Sequence, residues 1–301
     1  MDIKRREQLR IYAPNGDSYY GGDQNWYSSN TRAMGGCGSV AGANALRALI
    51  RTNLAVMDVV NNNTFIPKQI KDALCSDKPS KEDYTLLMTG VYSVMGAVTL
   101  YPLNVIYDRK ERGTKLFQII RPNQGQLNSG FIIGVIRFAQ RFGINIAVKS
   151  LNTVYCDEQK ARDFIKKGLE EAGAVVMLTS FNKHSAQIYP GSTDLDKKLS
   201  GGYSANIKSH FVTITDIDDE GILLTTWGKP ARCDFNEVVK SWQSIKAFEA
   251  TLMYVTPSTK KQSIICALSA FNVYLAGIIK PFLELFGIKK KIRQYRGKKS
   301  E

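Results

Sequence analysis

Apolar and polar positions change rhythm twice along the chain. Residues 1–36 are polar and turn-rich, with Pro14-Asn15-Gly16 followed by YGGDQNW at 20–26, and so predict loops rather than regular structure. From Cys37 the texture becomes GSVAGANALRALI, in which Val40, Ala43, Ala45, Leu46 and Leu49 predict a helix with small side chains on its buried face. An Asn-rich stretch near 61–64 separates it from a second helical pattern after Ser80, with Leu86, Leu87, Val91 and Met95 on the apolar side. The uncharged span Thr85–Tyr107 is long enough for a membrane crossing, but Gly90, Gly96 and Pro102 interrupt it. A buried helix followed by a loop is the preferred reading there. FIIGVIRFAQRF at 131–142, ending at Gly143 in C-cap position, and Ala161–Ala172 predict two more helices.

Beyond Gly173 the period becomes two. AVVMLTSF, HFVTITDI, GILLTTW and ATLMYV read as strands, and Asp218-Asp219-Glu220-Gly221 as a tight turn between the second and third. Helices first and an antiparallel sheet afterwards predict an α+β fold. The pattern changes again after Thr256-Pro257-Ser258. Gln262–Ile279 is eighteen residues without a charge, Lys280-Pro281 interrupts it, and Ile264, Leu268, Phe271, Leu275, Ile278 and Phe282 recur at helical spacing. Residues 1–256 are therefore read as one domain and 257–301 as a helical appendage with a basic tail.

Composition adds exclusions. With 301 residues, 44% hydrophobic and 23% charged, the chain is an ordinary globular one, which excludes disorder, collagen and coiled coil. The net charge is +14, but ten Lys and Arg against two Glu lie between Pro257 and Glu301, so the body is only mildly basic. Nucleic acid is not the expected partner. Five scattered cysteines without a CxxC pair predict neither a disulfide framework nor a zinc site. The first twenty residues hold no apolar signal core, so the expected compartment is reducing and cytoplasmic. No metal or organic cofactor is implied.

The candidate chemistry is nucleophilic. Cys37 lies in GGCGS at a helix start, where free amide N–H groups and the positive dipole end favour a thiolate. His210 opens a strand, and the next strand ends fifteen residues later in Thr225-Thr226-Trp227-Gly228. A hairpin of that length brings Thr225 or Thr226 beside the ring, with Trp227 as a cover against water. The second histidine, His184, reads as a solvated loop residue.

The ordered set YGGDQNW, GCGSVAGANAL, SHFVTITDI and TTWGKPARCDFNEV resembles papain-like cysteine peptidases. The bacterial branch similar to double-glycine leader peptidases and its uncharacterised clostridial relatives is nearest, over residues 10–256. This resemblance implies a papain-like fold, with the active-site cleft between a helical half and the sheet. It implies Cys37 as nucleophile, His210 as general base and a peptide or protein as substrate. Gln24, or Asn30 in its place, becomes the oxyanion donor beside the Cys37 amide. Two departures stand out. Gln24 lies thirteen residues before the cysteine, about twice the family's spacing, and Thr225 or Thr226 stands where the family has Asn or Asp to orient the histidine. A silent peptide- or protein-binding module and an acyltransferase of the same fold are the alternatives. For residues 262–299 the expectations are a membrane span, an in-plane helix on an anionic membrane surface, or a helix docked on the body.

Overall fold

The computed structural model describes residues 3–28, 35–95, 128–153, 156–178, 186–190, 205–207, 210–219, 221–243 and 251–285. Within these it is a mixed α+β protein. The N-terminal segment is more ordered than its Gly and Asn content predicts. It forms a short helix α1 (Ile3–Glu7) and a two-stranded antiparallel ribbon, β1 (Arg10–Tyr12) and β2 (Ser18–Tyr20), then a 3₁₀ turn over Gln24–Trp26. Leu9 and Ile11 are fully buried and help anchor this polar stretch to the body.

Helices α2 (Cys37–Thr52), α3 (Leu54–Asn62), α4 (Lys68–Cys75), α5 (Lys81–Met95) and α6 (Asn128–Arg141) follow. On α5, Leu87, Val91 and Met95 are buried as their spacing requires, whereas Leu86 is exposed. Residues 96–127, which hold the rest of the long uncharged span, lie outside the described residues. Then come β3 (Ile146–Asn152), α7 (Glu158–Ala172), β4 (Val175–Leu178), β5 (Ala186–Pro190), β6 (Ala205–Ile207), β7 (Phe211–Ile217), β8 (Gly221–Thr226), β9 (Lys229–Asp234), α8 (Phe235–Gln243), β10 (Thr251–Pro257) and α9 (Lys260–Leu285).

The main sheet has eight strands in the order β3-β10-β4-β7-β8-β9-β5-β6, with neighbours antiparallel. Its central strands are covered on both faces. Along β4, Val176 and Leu178 join the core shared with α2, α5 and α6, while Val175 and Met177 join a second core under α7 and α8. β10 divides likewise, Met253 and Val255 to one side and Leu252 and Tyr254 to the other. Burial of both faces is why these strands read as continuous apolar runs instead of alternating ones.

Helix α2 lies against the sheet at β7 and is buried along nearly its whole length, Cys37 through Ile50. Its polar residues are held by specific partners. Arg47 donates to the carbonyls of Gln8 (2.6 Å), Ala73 (2.7 Å) and Ser76 (2.8 Å), and burial lowers its pKa to about 10. These bonds tie the N-terminal segment and the end of α4 to the helix that carries Cys37.

At the C-terminal end, α9 continues as one helix from Lys260 to Leu285, through Lys280-Pro281. Among the described residues no helix is long and apolar enough to cross a membrane, α9 included.

Candidate active site

Cys37 is the first residue of α2, and Gly36 before it provides no side-chain cap. The first amides of the helix are therefore available to the thiol. Backbone N–H groups of Phe211, Gly38 and Cys37 itself act on the sulfur and hold its pKa down, but burial outweighs them and the thiol is raised above its ordinary value. Only 6% of Cys37 is exposed. The Phe211 contact matters most, because it joins the start of the first long helix to a strand more than 170 residues later. Phe211 is the first residue of β7, directly after His210.

The His210 ring is fixed from two sides. Its Nε2 lies 2.7 Å from Thr226 Oγ1, and its plane stacks on Trp227 with centroids 4.9 Å apart and an 18° tilt. Of the two candidate threonines, Thr226 makes this contact. Thr225 instead pairs across the ladder with Thr213, and its hydroxyl is buried with no hydrogen-bond partner. Burial lowers the His210 pKa to about 4. At neutral pH the imidazole is uncharged and the thiol protonated.

Trp227 reaches the ring because of a strained turn. Thr226 pairs with Lys229, leaving Trp227-Gly228 as a two-residue hairpin loop between β8 and β9. Both loop residues have positive φ, +50° for Trp227 and +68° for Gly228, the type I′ combination. Glycine meets this demand freely, whereas a tryptophan there costs about 1–2 kcal/mol. Backbone bonds brace the turn: Tyr20 N–H donates to Gly228 C=O (2.9 Å) and Gly228 N–H to Gly22 C=O (3.1 Å).

Asn44, two turns into α2, locks this side together. Its Oδ1 accepts from Gly22 N–H (3.1 Å) and Tyr84 O–H (2.7 Å), and its Nδ2 donates to Thr213 Oγ1 (3.0 Å). One side chain thus links the N-terminal loop, α5 and β7. Gly21 is obligatory beside it: its φ is +74°, and a Cβ there would lie 2.7 Å from Asn44 Nδ2 and 2.9 Å from Thr225 Oγ1. Asn44 carries its own signal in the sequence, a polar side chain within an apolar helical repeat.

Gln24 sits in the 3₁₀ turn, capped by Asp23, whose carboxylate accepts from Asn25 N–H (2.9 Å). The turn is held near the start of α2 at its far end, where the Tyr27 hydroxyl shares a 2.6 Å hydrogen bond with Ser39 Oγ. Gln24 Oε1 is buried without a hydrogen-bond partner. Asn30, its alternative, and His184 lie outside the described residues. All five cysteines are free thiols, and among the described residues no group of three His, Cys, Asp or Glu side chains is placed to hold a metal ion.

No protein-family model matches the chain, and no curated protein matches it significantly.

Proposed function

We propose that the protein is a cysteine peptidase with a papain-like arrangement, using Cys37 as nucleophile and His210 as general base. The observation that carries this reading is the amide of Phe211 acting on the Cys37 sulfur, since the next residue back along the chain is His210. Thr226 engages Nε2, and in this reading Nδ1 is the nitrogen that takes the thiol proton. In that tautomer Nε2–H donates to Thr226 Oγ1 and the Nδ1 lone pair is the base. As sulfur attacks the peptide carbonyl, its proton passes to Nδ1; the imidazolium then protonates the departing amine as the C–N bond breaks. Water, deprotonated by the same ring, releases the acyl group from Cys37. An amine in place of water would make the same acyl-enzyme an acyltransferase. The Cys37 amide and the Gln24 carboxamide N–H would stabilise the oxyanion.

A neutral resting pair distinguishes this site from one that stores a thiolate–imidazolium ion pair. Proton transfer must accompany attack, and a threonine hydroxyl stabilises the imidazolium less than a carboxylate would. A slow enzyme is therefore expected. The same burial supports a second reading, a silent module that binds a peptide without cutting it.

Incubation of the full chain with a peptide mixture, read by mass spectrometry, separates the two. New peptide termini are expected with the wild type and should fall by at least about 10⁴-fold in Cys37→Ala. Capture of intact peptide by both proteins would contradict hydrolysis and establish the binding module.

A further inference from the structure

Helix α9 is docked the opposite way round from what its apolar pattern requires. Between Lys260 and Asn272 its buried or half-buried positions are Ser263, Cys266, Ala267 and Ala270, all small. Gln140 Nε2 of α6 donates to Ser263 Oγ (2.9 Å), and the Cys266 thiol meets the backbone of Val148 on β3. Of the described side chains on this helix the large apolar ones are exposed: Ile264 44%, Ile265 52%, Leu268 57% and Phe271 43%. Their spacing places them on one helical stripe, and the sequence continues it at Leu275, Ile278 and Phe282. Contiguous exposed apolar surface of this kind marks an interaction site.

We propose that this stripe of α9 lies in the surface of an anionic lipid bilayer, with the basic residues that follow it binding the headgroups. Charge decides the occupant. Lys260 and Lys261 open the helix, and Lys289, Lys290, Lys291, Arg293, Arg296, Lys298 and Lys299 follow it; Glu284 and Glu301 are the only acidic residues after Pro257. A second copy of the same chain would bring like charge against like charge. A bilayer containing phosphatidylserine offers apolar depth for the stripe and negative charge for the tail. Small residues on the inner face let the helix sit close to α6 and β3, and the protein body takes the place of the polar face that in-plane helices usually present to water. The inference is independent of the chemistry at Cys37.

The test is flotation of the full chain with vesicles of phosphatidylcholine, with and without phosphatidylserine. Binding is expected only with phosphatidylserine and should weaken with added salt. Ile264→Asp combined with Leu268→Asp should lower the partition coefficient at least about tenfold. Each positive charge near the surface is worth about fivefold, so joint replacement of Lys289, Lys290 and Lys291 by Glu should cost at least about 100-fold. These are solvent-facing or tail positions, and an unchanged thermal unfolding midpoint in each variant checks that the fold survives. Absence of binding to either vesicle, or binding unchanged in the aspartate variant, would overturn the proposal. So would a concentration-dependent dimer, abolished by the same aspartates, in a protein that ignores vesicles.

Discussion

Helices α2 and α9 look alike as strings of letters, both apolar and both interleaved with Ala, Ser and Cys, yet they are used in opposite senses. α2 is enclosed by α5, α6 and the sheet, and even its Ser39, Asn44 and Arg47 are buried. Each of these has hydrogen-bond partners, because a polar group removed from water costs about 1–3 kcal/mol if left unpaired. Between Lys260 and Asn272, α9 buries Ser263 and Ala270 against the body and exposes Ile264, Ile265 and Leu268. The difference teaches that an apolar repeat fixes that a helix will form and which residues share a side, but not which side meets the protein. That choice belongs to the surface it docks on, and the ground between α6 and β3 accepts small residues.

The contrast gives measurable consequences. Arg47→Ala on α2 would leave the carbonyls of Gln8, Ala73 and Ser76 without their donor, and urea unfolding should show a loss of about 4 kcal/mol. Near the same helix, His210 makes stability depend on pH. Its folded pKa of about 4 lies below the ordinary 6.5, so the unfolded chain binds more protons between those values. Stability is full above pH 6.5 and declines as pH falls toward 4, by up to about 3 kcal/mol. His210→Gln should remove that part of the decline in urea titrations taken across the window. On α9 the effect should nearly vanish: Leu268→Ser should alter unfolding free energy by no more than about 0.5 kcal/mol, while a loss resembling that of Arg47→Ala would mean the stripe is packed after all.

Much of the scaffold could be read from periodicity. α2, α6 and α7 carry a helical repeat with recognisable ends, and β4, β7, β8 and β10 are apolar because both sheet faces are covered. β9 escaped notice because KPARCD alternates charged and small residues, and the β1–β2 ribbon because its neighbours are Gly, Asn and Tyr. In the site, the nearness of a threonine to His210 was legible from hairpin length, but the choice between Thr225 and Thr226 was not. It depends on a two-residue turn with Trp227 at positive φ, a conformation sequence rules assign to Gly or Asn. The Phe211 amide had no signal of its own, since a backbone group carries no letter. The outward stripe on α9 was hidden for the reason already given: pattern specifies a face without specifying its partner.

The most direct measurement is the rate at which a peptidyl electrophile alkylates each cysteine, followed by mass spectrometry across pH in the wild type and in His210→Ala. Cys37 should react ahead of the more exposed Cys75, Cys156 and Cys266. Its rate should climb with pH without an acid plateau, since burial keeps the thiol protonated, and should fall at least about tenfold in His210→Ala. Equal labelling of all five cysteines, or a Cys37 rate indifferent to His210, would contradict the pairing of this sulfur with this imidazole.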